Sequence, residues 1–422
     1  MHRYTKASRP LHPAWSTVAI GFALSLLVSV IGTRTMTTMP PVTPVVAPPP
    51  TAIVPVVSPC AERQTARPEE VETFSAPFDY WHTCSTQIVD SSGRPVHVAG
   101  IAWAGMEGPN GVPAGLDQKS YRVILQTVKA MGYNVVRIPF NTESIQPGFQ
   151  PRGIDPRLNP DLVGLTSIDV LDRIVAECGA LGLKVILDRH RITPWSVPPL
   201  WFDAGHSEDQ WIADWVRLAR HYDGNPAVVG VDLQNEPYGA TWGTGDPRID
   251  WRRAATRAGD AVLDANPNLL VFVQGIGTDG AAPTYWYGGE LRGVRRVPIT
   301  LSHPDRLVYS PHEYGPSVYP EKWFGVPEYP SNLPAIWNAH WGFIVQDGIA
   351  PVVVGEMGAP EVGYDAGGTW QRVFLSFLDR QHIGFIAWAL NPGMTDTGSV
   401  FNPDWHTVDG ARQSMYAPYL RK

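Results

Sequence analysis

Apolar residues along this chain gather into short runs separated by longer stretches of mixed polarity. Eight runs have the length and continuity of buried strands: 96–103 (VHVAGIAW), 134–140 (NVVRIPF), 184–190 (KVILDRH), 228–235 (VVGVDLQN), 269–275 (LLVFVQG), 307–314 (LVYSPHEY), 351–357 (PVVVGEM) and 385–391 (FIAWALN). Between most of them the apolar period changes to that of a helix with one buried face, as in QKSYRVILQTVKAMG and SIDVLDRIVAECGALG. The gap 276–306 carries no such pattern. Strands that alternate with helices and read as near-continuous apolar runs predict a parallel sheet, and eight of them predict an α/β fold of the (β/α)8 TIM-barrel type. No sequence repeat of 20 to 50 residues suggests a solenoid.

The first 75 residues differ. Arg3, Lys6 and Arg9 precede an uncharged apolar segment, residues 14–32, close to the ~20 residues that span a bilayer. No clear Ala-x-Ala site follows, so residues 1–32 read as a signal peptide or a retained signal anchor, with a cytoplasmic amino terminus and an exported remainder. Residues 33–75 include PPVTPVVAPPPTAIVPVVS, which favours extended polyproline II over helix or central strand, and read as a linker. The predicted barrel domain is then 76–422.

The candidate chemistry lies where the apolar runs end. Arg137, Asp188 and His190, Asn235 and Glu236, His312 and Tyr314, Glu356, and Trp388 with Asn391 stand at the carboxyl ends of six runs. In a β/α barrel those ends converge on one face, where active sites are built. Each has a plainer alternative. Arg137 could be half of a buried ion pair, His190 or His312 a satisfied core histidine, and Asp188 an orienting group. Their common phase on six strands argues for a site. Asp188, His190 and His312 contain no pair at the one-turn spacing of a helical zinc motif, and neither a metal nor a cofactor is expected. Two glutamates, Glu236 and Glu356, supply what glycoside hydrolysis requires: one carboxyl to protonate the leaving oxygen and one to stabilise or attack the oxocarbenium-like centre.

Composition narrows the partners. The formal net charge is −7 with 17% charged residues, and no basic run stands out, which argues against nucleic acid. Sixteen Trp supply core and leave aromatic faces that suit a sugar. Of three cysteines, Cys178 reads as a buried free thiol, while Cys60 and Cys84 could pair in an exported chain, which their spacing does not decide.

Taken together, VDLQNEP, VVVGEMG, VILDRHR, NVVRIPF and SPHEYG resemble glycoside hydrolase family 5, and AWALNPGMTDTGSV is similar to its bacterial endo-β-1,4-glucanase branch. The resemblance spans about 78–418. It implies a monomeric retaining enzyme acting on a β-glucan, with Glu236 as acid/base and Glu356 as nucleophile. It further implies that Asn235 binds the sugar 2-hydroxyl, that Arg137 and Tyr314 flank the nucleophile, that His190 and His312 line the −1 subsite, and that Trp388 forms its aromatic floor. Trp103 and Trp286 are candidates for stacking at minus subsites, Trp242 and Trp195 at plus subsites. Arg137 should favour the charged form of Glu356, and burial beside a second carboxylate should keep Glu236 protonated. The alternatives on the same site are a β-mannanase, another β-glucanase or a transglycosylase. A non-catalytic carbohydrate-binding protein is the alternative of another class.

Overall fold

A computed structural model describes residues 79–195, 197–280 and 284–420. The proposed signal segment and linker, and Cys60, lie outside them. Two short antiparallel strands come first, β1 (His82–Cys84) and β2 (Gln87–Val89), a hairpin of three-residue strands too short and too polar to register in the apolar pattern. Then follow β3 (Ala99–Ala102), helix α1 (Tyr121–Met131), β4 (Val135–Asn141), α2 (Ser167–Ala180), β5 (Lys184–Arg191), α3 (Glu208–His221), β6 (Val228–Asp232), α4 (Trp251–Ala265) and β7 (Leu270–Val273). The chain continues through β8 (Leu307–Tyr309), β9 (His312–Tyr314), α5 (Leu333–Trp337), α6 (Phe343–Gln346), β10 (Val353–Gly358), α7 (Ala366–Arg380), β11 (Gly384–Ala387) and α8 (Gly410–Leu420).

The nine strands β3–β11 form one parallel sheet in the order β8-β7-β6-β5-β4-β3-β11-β10-β9, and a parallel bridge from Tyr309 to Val352 joins its two ends. With helices outside, this is the (β/α)8 barrel. The sixth run is split into β8 and β9 because Pro311 has no N–H to continue the ladder. Among its described residues the expected gap holds two short 3-10 turns, Arg292–Arg295 and Pro304–Arg306, and an isolated antiparallel bridge between Ile276 and Glu290. The fourth strand ends at Asp232, earlier than the apolar run suggested. Leu233–Asn235 run on outside it, with both the Trp211 and Trp215 indoles donating to the Leu233 carbonyl at 3.0 Å.

The two sides of each strand separate cleanly. Val135, Ile186, Leu270, Phe272, Val308, Val353 and Ile386 face the barrel axis and pack with Trp81 and Ile88 of the hairpin. Their neighbours in sequence face the helices. Helices start on side-chain caps: a Thr166–Asp169 capping box for α2, and Ser207, Asp250 and Asp365 for α3, α4 and α7. Cys84 is disulfide-bonded, and its expected partner Cys60 is outside the described residues. Cys178 is a free, buried thiol whose pKa burial pushes up. Among the described residues no helix is long and apolar enough to cross a membrane.

Candidate active site

Moving two residues along a strand returns to the same face, so the axis-facing Val135 and Ile186 are succeeded by Arg137 and Asp188, then His190. Phe272 is succeeded by Gln274, and Ile386 by Trp388. Glu356 is out of phase with Val353. The β10–β11 register shifts between Val354 and Met357, and the shift turns Glu356 toward the axis.

Arg137 is fully buried and organises this layer. Its Nη1 donates to Glu356 Oε1 at 2.6 Å, and its Nε and Nη2 donate to Asp232 Oδ2 at 3.1 and 2.9 Å. Nη2 also reaches Asp188 Oδ2 at 3.0 Å and Asn235 Oδ1 at 3.2 Å. The second oxygen of Glu356 accepts a short hydrogen bond from the Tyr314 hydroxyl. His190 Nδ1 lies 2.7 Å from Asp188 Oδ2, and its ring stacks on Trp388 at 5.2 Å and 9°. His312 Nδ1 lies 3.0 Å from Glu236 Oε1 and 3.5 Å from Glu356 Oε2. One oxygen of Glu236 therefore stands within 4.8 Å of one of Glu356.

One guanidinium cannot neutralise three carboxyls buried from solvent. Burial pushes Asp188 and Asp232 up to about 7, with Arg137 pulling against it. Burial also raises Glu356, opposed by Arg137, His190 and the Tyr314 hydroxyl. The expected effect of Arg137 is present, but as the smaller force. Burial lowers His190 to about 4 and His312 well below its ordinary value, so both imidazoles are neutral near pH 7. Two trios, Asp188–His190–Glu356 and Glu236–His312–Glu356, have atoms close enough to ligate a cation, but most of those atoms already bond to Arg137, Tyr314 or each other.

The tryptophans divide. Trp388 is half-buried against His190. Trp286 meets Tyr314 edge to face at 5.8 Å and 66°, and its indole N–H has no protein acceptor. Trp103 is a correction: it shares the phase of Ala99 and Ile101, which face the helices, and it is fully buried with its indole bonded to the Ala114 carbonyl. No face is left for a ligand. Trp242 is likewise loop core, its indole on the Val297 carbonyl at 2.9 Å. Trp195 is 77% exposed. Asn391 pins the loop after β3 through both N–H and C=O of Ala104.

Sequence reasoning passed over Asp232 and Gln274. Gln274 was legible as a polar residue on the axis-facing phase of an otherwise apolar run, whereas Asp232 lies three residues beyond the axis-facing Val229 and is brought inward by the β5–β6 register shift. Gln274 Nε2 donates to Asp232 Oδ2 at 2.9 Å, and its Oε1 accepts the Glu236 backbone N–H at 2.8 Å.

A parallel barrel whose carboxyl-terminal face carries two facing carboxyls, an arginine and neutral imidazoles is the architecture of a glycoside hydrolase. A cellulase (glycosyl hydrolase family 5) sequence profile matches residues 89–394, and the chain belongs to that family. It is 43% identical to an endoglucanase of Paenibacillus polymyxa over 81% of this chain and 87% of that protein. Among solved structures, a hyperthermophilic endocellulase of Pyrococcus horikoshii superposes with a TM-score of 0.78 at 35% identity, covering 82% of this chain and 99% of that one. The catalytic domain of the major endoglucanase of Xanthomonas campestris pv. campestris gives a TM-score of 0.77 at 34% identity over 81% of this chain and 99% of that chain.

Proposed function

We propose that this chain is a retaining endo-β-1,4-glucanase that cuts internal bonds of cellulose or a related β-glucan. The observation that carries the reading is that the two carboxyl groups face each other with one oxygen of Glu236 within 4.8 Å of one oxygen of Glu356, both beside His312 Nδ1. Retaining glycosidases hold their carboxyl groups about 5–5.5 Å apart, whereas inverting enzymes leave room for a water, about 6.5–9.5 Å.

Glu356 is the nucleophile. Its carboxylate attacks the anomeric carbon as the glycosidic C–O bond breaks, while Glu236 gives its proton to the departing oxygen. A covalent glycosyl-enzyme remains. Glu236, now a carboxylate facing a neutral ester, takes a proton from water. The hydroxyl so formed attacks the same carbon and releases Glu356. Arg137 and the Tyr314 hydroxyl hold one oxygen each, which fixes the carboxylate plane and stabilises its charge as it returns. Neutral His312 and His190 offer hydrogen bonds without competing as acids, and Asn235 binds the 2-hydroxyl. Trp388 and Trp286 supply the apolar sugar contacts.

Replacing Glu356→Gln should lower turnover of soluble β-glucan by at least about a thousandfold while a cello-oligosaccharide still binds. Full activity in that variant sinks the reading. A panel of carboxymethylcellulose, glucomannan, lichenan and xylan separates the glucanase from the mannanase alternative on the same site. The basic and apolar segment 1–32 supports export of the enzyme, free or surface-held, and fractionation of culture medium from membranes decides between those two.

A further inference from the structure

Glu236 sits at φ 47°, a left-handed conformation that residues other than glycine seldom adopt, and the strand that leads to it has already ended at Asp232. Something must hold it there. Its carbonyl is turned back onto the N–H of Tyr238 at 2.6 Å, and its own N–H points at Gln274 Oε1. Gln274 is completely buried, and its main-chain carbonyl is fixed by the Trp251 indole at 2.8 Å. Its side-chain orientation has one consistent assignment, because the Glu236 N–H can only donate and the Asp232 carboxylate, when ionised, can only accept. Nε2 also approaches Asn235 Oδ1 at 3.5 Å. One amide thus joins the Arg137–Asp232 pair to the backbone of Glu236. Gly288 closes the arrangement from outside: a Cβ there would stand 2.9 Å from Gln274 Oε1 and 3.3 Å from both Glu236 Cγ and His312 Cγ.

We propose that Gln274 is a positioning residue for proton transfer: by accepting the Glu236 N–H from the neighbouring strand, it holds Glu236 in the left-handed conformation from which its carboxyl meets His312 and the leaving oxygen. The inference rests on Glu236 being the acid/base. Gln274 is completely buried, and its effect on proton transfer passes through Glu236.

The test compares two substrates under kcat/KM, which reports steps up to and including glycosylation. A soluble β-glucan has a leaving group that needs a proton. Dinitrophenyl β-cellobioside has one that does not. Gln274→Leu should lower kcat/KM on the glucan about 10- to 100-fold, part of the 10²–10⁴ that acid–base catalysis contributes. On the dinitrophenyl substrate kcat/KM should fall less than about threefold, while kcat falls and azide, a nucleophile that needs no base, restores it. Gln274→Glu, which keeps an acceptor facing the Glu236 N–H, should hold the ratio of the two substrates within about threefold of wild type. Equal losses on both substrates, no loss on either, or a Gln274→Glu ratio matching that of Gln274→Leu would overturn the proposal. If Gln274→Leu does not fold, Gln274→Met, which keeps the length of the side chain and removes the acceptor, is read the same way. Glu236→Gln is the control: it should be more selective than any of these, and an unselective Glu236→Gln brings down the acid/base reading together with the role of Gln274.

Discussion

At one end of the barrel axis stand Val135, Ile186, Leu270, Val308, Val353 and Ile386, closed off by Trp81 and Ile88 of the hairpin. Two residues beyond Val135 and Ile186, and four beyond Leu270, stand Arg137, Asp188 and Gln274, with Asp232, His312 and Glu356 beside them, nearly as buried. The first layer needs only shape, since apolar side chains gain by leaving water wherever they pack. The second layer must satisfy every polar atom it buries, and it falls short. The Oδ1 atoms of Asp188 and Asp232 and the Nε2 of His312 have no protein partner. A folding chain would not choose that layer for stability. The comparison assigns stability to one end and chemistry to the other, and the division can be attacked from both sides.

The largest effect should follow removal of Arg137. Arg137→Ala strands three carboxyls, and breaking a buried pair in this way costs about 3–5 kcal/mol. The cost should depend on pH in a definite direction. Without the guanidinium the folded-state pKa values of Asp188, Asp232 and Glu356 rise further above those of the unfolded chain. The folded variant then holds protons that the unfolded chain releases, so its stability falls as pH rises from 5 to 8. Urea unfolding at both pH values measures this, and a pH-independent loss would show that the layer is held by packing rather than charge. Activity on soluble glucan should drop below about 1% at either pH.

The opposite layer supplies the contrast. Leu270→Ala removes a fully buried side chain from the axis below Gln274 and should cost about 2–5 kcal/mol. Its kcat/KM, measured well below the melting temperature, should stay within about threefold of wild type. A large loss of activity would mean that the apolar layer also sets the geometry above it.

Much of this was legible in the sequence because parallel-barrel strands are buried on both sides and so declare themselves as apolar runs. The phase of Arg137, Asp188 and His190 within theirs then places them on the axis. The same rule, applied without regard to residue type, would have found Gln274 and rejected Trp103, whose phase is that of Ala99 and Ile101, while Asp232 reaches the axis through a register shift that alternation does not foresee. Trp242 had no strand to give it a phase, and loop tryptophans serve as core or platform with the same composition. Nothing local announces the left-handed backbone at Glu236. It depends on an acceptor 38 residues away in sequence, which is information that only the folded chain contains.

Glu313 makes the finest test of the division, because it lies between His312 and Tyr314 yet faces the other way. Its carboxyl is buried among the helices and accepts hydrogen bonds from the Tyr285 hydroxyl and, at 2.8 Å, from the Trp341 indole. Burial pushes it up to about 8, against the pull of those two donors. The folded chain therefore keeps a proton that the unfolded chain gives up near pH 4.5. The stabilising contribution is complete below that pH and is lost as pH rises through 8, at a slope of up to about 1.4 kcal/mol per pH unit. Glu313→Gln keeps the shape and removes the titration, so its stability should be flatter than that of wild type between pH 5 and 8. Activity should change little, since the side chain points away from the cleft. Equal slopes in the two proteins would show that Glu313 is ionised in the folded state, with Tyr285 and Trp341 rather than a proton meeting its charge.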